Sequence, residues 1–496
     1  MGVSGRSRWW ALGALAVALL AFGLDVTVLS VALPTLAVDL HASTSELQWF
    51  SNSYTLVLAA GLLPAGLLGD RFGPKGLLIF GLLLFGLASV ACAYSATAGQ
   101  LIAARAALGV GGAFLVPMSV SLISELFPGK DRARAIAVWA AAMSAGIPLG
   151  PVVGGWLLDN FWWGSAFLIN VPPIVIGTVL LIWLLPNVPG NPSQRIDFPG
   201  IALSSAGLVA VTYGLVEAGD RGWGAVTALA PMLGGLVVLA GFGLWLRRAS
   251  HPLVDVELFA SKGFRWGGIL ATVAQFAMMG AIFLLPQYFQ AVYATDALGT
   301  GLRLLPIVGG LLVGVQLADR LRSKAGAKVV VALGFAFMVG GLVTGAFTSV
   351  GAGYGFVAVW VSLVGLGLGF SLPPSMDIAL GALSPKRAGV GSGLLQALRQ
   401  VGGTLGVTIL GTVLNAGYRA GLPDSAPSAA RESVAAGARV PGLFDAVQHA
   451  FVRGMNTTLW VCAGFALAGV LLTLVFLPRQ AEDVQEAESA HEFVAG

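Results

Sequence analysis

Charge is scarce in this chain: Asp, Glu, Lys and Arg make up only 10% of its 496 residues, where soluble domains carry about 25%. With 57% of residues hydrophobic, a water-soluble globule is excluded and a polytopic membrane protein is indicated. Cysteine is nearly absent. Cys92 and Cys462 both fall inside apolar stretches, where packing is the ordinary role of a thiol and neither a disulfide nor a metal site is expected. The chain has no G-x-x-x-x-G-K-[ST] phosphate loop and no zinc-spaced Cys/His set, so ATP hydrolysis and metal catalysis lack a sequence basis. We therefore expect no enzyme and no cofactor. Any pumping must draw on an ion gradient, or on a partner.

What the chain has is apolar runs. A bilayer core of about 30 Å takes about 20 apolar residues per helix, and fourteen such stretches occur, near 9–33, 47–68, 76–95, 99–122, 134–157, 165–185, 199–217, 226–246, 264–290, 300–319, 328–347, 354–376, 390–415 and 457–477. Backbone groups in lipid must bond internally, so each is expected to be a helix. The first stretch follows Arg6 and Arg8, exceeds the apolar core of a signal peptide, and is read as retained. Lys and Arg concentrate in alternate loops. Short loops on the opposite side hold only Arg221 and Arg303, which places both termini in the cytoplasm. The net charge of +4 thus reflects topology, and nucleic acid is not an expected partner. The outer loop 417–456 has room for short surface helices, for instance Asp445 to Arg453, and a weakly ordered loop is equally compatible with its length.

The chain repeats itself. Gly109-x-Gly111-x-x-Phe114-x-Val116-Pro117-x-Ser119 returns 256 positions later (365 − 109) as Gly365-x-Gly367-x-x-Phe370-x-Leu372-Pro373-x-Ser375. The same offset pairs Gly146 with Gly402, Gly150 with Gly406 and Gly155 with Gly411. Earlier in each half the frame slips, and Pro34 answers Pro286. The repeat divides the chain into a six-helix bundle at 9–185, a connector with two extra helices at 186–263, a second six-helix bundle at 264–477 and a cytoplasmic tail at 478–496. Parallel six-helix halves are how one large class of secondary transporters is built. Two buried charges break the symmetry: Asp25 falls opposite Ala277, and Arg105 opposite Val361.

Those two charges carry the chemistry. At 1.5 Å per residue, Asp25 and Arg105 lie about 12 and 9 Å from the outer ends of their apolar stretches, at matching depth. A mid-membrane charge normally faces a cavity or a partner. Burial disfavours a charged carboxylate and a nearby guanidinium favours it, so relative motion of such a pair would swing proton affinity. A static pair bracing two helices is the structural alternative. Arg399 is a third charge inside a span, and its partner is left open between Asp25, Asp377 and an anionic group of a substrate. Neutral hydrogen-bonding groups, Gln275, Gln287, Gln290, Gln316 and Gln396, gather in the second half. With the aromatics Phe22, Tyr54, Trp139, Phe276 and Phe283 they are candidates to line an apolar pocket, although packing or lipid contact is the common fate of such side chains. Gly146, Gly150 and Gly154 lie on one helix face and admit a close neighbour, with Pro151 and Gly155 beside them. A hinge and simple packing are both open.

Several segments resemble the major facilitator superfamily. Gly66-Leu67-Leu68-Gly69-Asp70-Arg71-Phe72-Gly73-Pro74-Lys75 is similar to that family's cytoplasmic loop signature, which implies a gate motif formed by Asp70, Arg71 and Gly73, with Asp70 accepting hydrogen bonds at the N-terminus of a helix near 390. The second copy, Gly314 to Arg320, departs from the pattern. Leu24-Asp25-Val26-Thr27-Val28-Leu29-Ser30-Val31-Ala32-Leu33-Pro34 looks like the first-helix motif of the fourteen-helix drug:proton antiporter branch, with Ser30 where Asn is usual. Leu101-x-x-x-Arg105-x-x-Leu108-Gly109-x-Gly111 is similar to its proton-transfer motif, with Leu108 in place of a common Gln, and Gly146-x-x-x-Gly150-Pro151-x-x-Gly154-Gly155 to its antiporter motif.

The resemblance implies an all-α major-facilitator-type fold and a monomer of the bacterial cytoplasmic membrane. It also implies exchange of protons for lipophilic drugs or antibiotics by alternating access, with Asp25 and Arg105 coupling the proton. Uptake of a nutrient is the second transport reading. A non-transporting sensor or scaffold is the alternative of another class.

Overall fold

The computed structural model describes residues 5–127, 130–186, 189–190, 197–249, 256–382, 388–438 and 440–477. The tail at 478–496 and most of the connector at 187–196 lie outside the described residues. Among the described residues every regular element is helical. In chain order these are α1 (Gly5–Asp39), α2 (Thr44–Phe72), α3 (Pro74–Ala93), α4 (Ala98–Leu126), α5 (Lys130–Asn160), α6 (Ser165–Leu168), α7 (Val171–Leu184), α8 (Phe198–Arg221) and α9 (Val226–Arg248). After a 3-10 turn at Val256–Ala260 follow α10 (Lys262–Val292), α11 (Ala297–Arg303), α12 (Leu305–Ala325), α13 (Ala327–Gly345), α14 (Tyr354–Gly381), α15 (Ala388–Gly421), α16 (Ser428–Glu432), α17 (Val434–Gly437) and α18 (Phe444–Phe476). Twelve helical runs among the described residues are long and apolar enough to cross a membrane. α2 and α5, of 29 and 31 residues, also have membrane-crossing length.

Helix ends are set by local chemistry. Ser43 and Glu46 form a reciprocal capping box at the start of α2, and Thr97 caps α4 through the Gln100 amide; each satisfies donors that have no intrahelical partner. Basic residues close carbonyl ends. The Arg8 guanidinium donates to the Leu126 carbonyl at 3.1 Å, and Lys75 Nζ donates to Ile182 and Leu185 at 3.0 and 2.6 Å, where the helix dipole favours a cation. Gly73, at φ 91°, turns the chain between α2 and α3 in a conformation that a Cβ would oppose.

Two expected spans are broken by proline. The stretch 165–185 is α6 and α7, because Pro172 and Pro173 begin the second helix and cannot continue the first. The stretch 300–319 becomes α11 and α12, with Pro306 in the first turn of the latter. Asp445 to Arg453 is no separate surface helix: it is the opening of the 33-residue α18, held by buried Val447, Ala450 and Phe451. The first span also runs past 33 to Asp39, since buried Leu36 and Ala37 keep it helical.

The chain forms two compact units. The first holds Met1–Leu253, Ile282–Arg303 and Asp424–Phe444, and the second Val254–Ala281, Leu304–Pro423 and Asp445–Gly496. In the first unit α4 wedges between α2 and α3: a Cβ on Gly109 would strike Tyr54 and Val57, and one on Gly111 would strike Gly81 and Phe85. In the second, α14 wedges between α12 and α13 through Gly365 against Ile307 and Gly367 against Gly334 and Met338. The internal repeat is therefore a repeat of helix contacts made through small residues. The extra pair α8 and α9 belongs to the first unit, joined by Gly207, Gly214 and Gly235.

Candidate functional site

Among the described residues, the first unit encloses one ion pair. Arg105 on α4 donates through Nη1 to Asp25 Oδ2 on α1 at 2.7 Å, with both side chains 2% exposed. Asn170, fully buried in the break between α6 and α7, donates through Nδ2 to the other oxygen, Oδ1, at 3.0 Å. Arg105 Nε donates to the Phe50 carbonyl of α2 at 3.0 Å, and the guanidinium lies 4.4 Å from the Tyr54 ring centroid, a cation–π geometry. Asn170 also reaches the Ser89 hydroxyl of α3 at 3.4 Å. Residues from α1, α2, α3, α4 and the α6–α7 junction thus converge on one carboxylate.

A charge placed mid-membrane costs roughly 2.5–3.5 kcal/mol on insertion scales, so the cluster is stable only as a neutralised, hydrogen-bonded set. Tyr54 Oη and Asn170 Oδ1 are enclosed without hydrogen-bond partners, so the cluster retains a donor and an acceptor for a second arrangement. Asn170 was not singled out from the sequence. Its signal is an Asn set directly before Val-Pro-Pro in an otherwise apolar run.

Glycines of α5 flank this cluster. Gly146 packs on the α1 backbone at Gly23 and Leu24, Gly150 on Thr27, and Gly154 on Val28, so the ladder flanks Asp25 along α1. The other side of α5 meets α11, where Gly155 packs on Ala297 and Leu298 and Gly301 on the Pro151 carbonyl. Asp159 locks that contact by accepting from the Ala297 and Leu298 amides at 3.2 and 2.9 Å. Leu24, Val28 and Ala166 form an apolar cluster with Leu20 and Leu158 on the same flank.

The second unit gathers a different set. Arg399 on α15 donates to Gln396 Oε1 through Nη1 and to Gln275 Oε1 of α10 through Nη2, each at 2.9 Å. Phe276, next along α10, packs on Phe465 with ring centroids 4.4 Å apart. In the first unit, Phe22 lies buried between Tyr54 and Phe85 at 6.5 and 6.2 Å, and Trp139 donates to the Ser119 hydroxyl at 2.9 Å. Gln287 donates to the Phe283 carbonyl one turn before it at 2.9 Å, with both residues buried. Gln290 donates to the Val31 carbonyl at 3.2 Å. These predicted residues therefore fall into separate clusters within their units. In the gate motif, Arg71 lies 5.6 Å from the Phe72 ring, while the Asp70 side chain and residues 383–387 lie outside the described residues. Both cysteines are free and buried.

Residues 15–407 match the Major Facilitator Superfamily. The chain is 30% identical to the tetracenomycin C resistance and export protein of Streptomyces glaucescens, covering 98% of this chain and 94% of the relative. It is 34% identical to a probable actinorhodin transporter of Streptomyces coelicolor, over 87% of this chain and 77% of that one. A multidrug efflux pump of Mycolicibacterium smegmatis is 32% identical over 95% and 96% of the two chains. In fold, the protein is similar to a bacterial homologue of the human lysosomal transporter Spinster in an inward-facing, unoccupied conformation, with a TM-score of 0.71 at 16% identity over 97% of this chain and 100% of that one. The chain belongs to the major facilitator superfamily: it is a multi-pass membrane transporter of small molecules, not an enzyme.

Proposed function

We propose that this superfamily member exports lipophilic drugs or antibiotics across the bacterial cytoplasmic membrane in exchange for protons. It acts by alternating access, as a fourteen-span monomer with both termini in the cytoplasm. The observation that carries the reading is the enclosed Asp25–Arg105 pair with its Asn170 brace, a cluster with no counterpart in the repeat. Separating a carboxylate from its guanidinium while it stays buried favours the protonated form. Motion of α1 against α4 would therefore exchange a proton, and the small-residue contacts of α5 with α1 and α11 offer a surface for that motion. The similarity to a tetracenomycin C resistance and export protein supports the direction of transport.

The energetics are adequate. Moving a neutral compound up a hundredfold gradient costs about 2.8 kcal/mol. One proton falling through 100 mV supplies about 2.3 kcal/mol, and a pH difference adds to it.

Inverted membrane vesicles test the reading. The wild-type protein is expected to accumulate a lipophilic dye in the lumen when the lumen is acidified. Asp25→Asn at equal expression should lose that accumulation yet still exchange dye down its own gradient. Full acid-driven accumulation by Asp25→Asn would end the coupling assignment, and acid-driven release from the lumen would favour uptake over export.

A further inference from the structure

The Arg399 cluster poses a question that the ion pair does not. The two carboxylates that the sequence leaves open as partners of Arg399 are engaged elsewhere: Asp25 holds Arg105 at 2.7 Å, and Asp377 holds Arg322 at 2.7 Å. Among the described residues no acid lies in ion-pair contact with Arg399. Its two hydrogen-bond partners are the amide oxygens of Gln275 and Gln396, which orient the guanidinium without cancelling its charge. Its Nε is enclosed and has no acceptor, so a donor with a full positive charge behind it remains unused. A guanidinium offers five N–H groups in a planar fork that matches an oxyanion.

The surroundings suit an apolar body attached to that oxyanion. Gly403 follows Arg399 by one turn on the same face of α15, and its missing side chain admits Met279 and Gln275 of α10, whose Cγ atoms would stand 2.8 and 3.6 Å from a Cβ there. Met279, one turn from Gln275 on α10, supplies apolar surface beside that residue and is largely buried. A brace between α10 and α15 needs only the two glutamines. The charge is what requires another explanation.

We propose that Arg399, with Gln275 and Gln396, binds the oxyanion of a lipophilic organic acid, a carboxylate or sulfonate on an aromatic body, carried as cargo. The inference rests on the reading of the protein as an exporter and names the charge class of what leaves. An anionic lipid headgroup presents the same oxyanion chemistry, and the test separates the two sources.

The full-length protein in phosphatidylcholine nanodiscs is titrated with two probes of one skeleton, 8-anilinonaphthalene-1-sulfonate and neutral N-phenyl-1-naphthylamine. Binding is read by energy transfer from the protein's tryptophans. Arg399→Gln is expected to weaken sulfonate binding by about tenfold or more, the worth of a charge-assisted hydrogen bond, and to shift the neutral amine less than twofold. Arg399→Lys should recover part of the sulfonate preference. Equal weakening of both probes, or of neither, overturns the proposal; retained amine binding shows that the variant is folded. The titrations are repeated with phosphatidylglycerol in the nanodiscs. If that lipid abolishes the difference between wild type and Arg399→Gln, the headgroup occupies the site and the cargo assignment falls. Binding is measured without a gradient, so it stands apart from the exporter reading, which fails if wild-type vesicles show no acid-driven accumulation of either probe.

Discussion

Arg105 and Arg399 sit in helices of the two compact units, and their surroundings differ in one respect. Arg105 faces a carboxylate, a backbone carbonyl and an aromatic ring, so the first unit's polar centre is neutral and sealed. Arg399 faces two neutral amides and keeps its charge. The glycine contacts around the two centres do repeat: Gly146 and Gly150 meet Gly23 and Thr27 of α1, and Gly402 and Gly406 meet Thr272 and Phe276 of α10. Helix packing is duplicated while charge is not. A duplicated scaffold can thus hold one centre suited to a proton and another suited to a bound anion.

The largest test of this contrast is stability. Arg105→Leu leaves a buried carboxylate unpaired and is expected to cost about 3–5 kcal/mol; adding Asp25→Leu should recover most of the loss. Thermal unfolding of the purified proteins in detergent measures both. Asn170→Ala removes a hydrogen bond to a charged group and should cost about 1.5–3 kcal/mol, with reduced acid-driven transport and unchanged binding of a neutral dye. Gly150→Ala drives a methyl group into Thr27 and is expected to cost about 1–3 kcal/mol by overpacking. Gly154→Ala, whose nearest neighbour is Val28 Cγ1 at 3.1 Å, should be milder in the same assay. Arg399→Leu comes last. It removes a charge and strands none, so its cost should stay under about 1 kcal/mol. A loss as large as that of Arg105→Leu would erase the distinction between the two centres.

Much of this was legible in the sequence because membranes simplify the problem. An apolar run of sufficient length can only be a helix there, so the helical architecture follows from hydropathy, and the repeated glycines mark helix contacts before any coordinates are seen. Asp25 and Arg105 stood out because charge in such runs is rare. Asn170 did not, since a neutral amide barely disturbs hydropathy and its role depends on a helix break just before Pro172 that brings it beside a helix distant in sequence. The partner of Arg399 was equally hidden: three anions were compatible with its position, and only the pairing of Asp25 and Asp377 elsewhere removed two of them. Sequence spacing places residues along a helix. It does not say which ones an intervening helix keeps apart.

Among the described residues Asp25 is the one carboxyl buried within the interior of a membrane helix, and in the exchange proposed above a single such group carries one hydrogen ion per turnover. That ceiling ranks cargoes by how hard the voltage can push them. An outgoing monocation cancels the incoming proton, and the voltage does nothing. A neutral compound leaves one charge uncompensated, about 2.3 kcal/mol at 100 mV, enough for roughly fiftyfold accumulation. An outgoing monoanion doubles this to about 4.6 kcal/mol, or some three powers of ten. Under the proposed one-proton exchange, the protein concentrates acids far more steeply than bases.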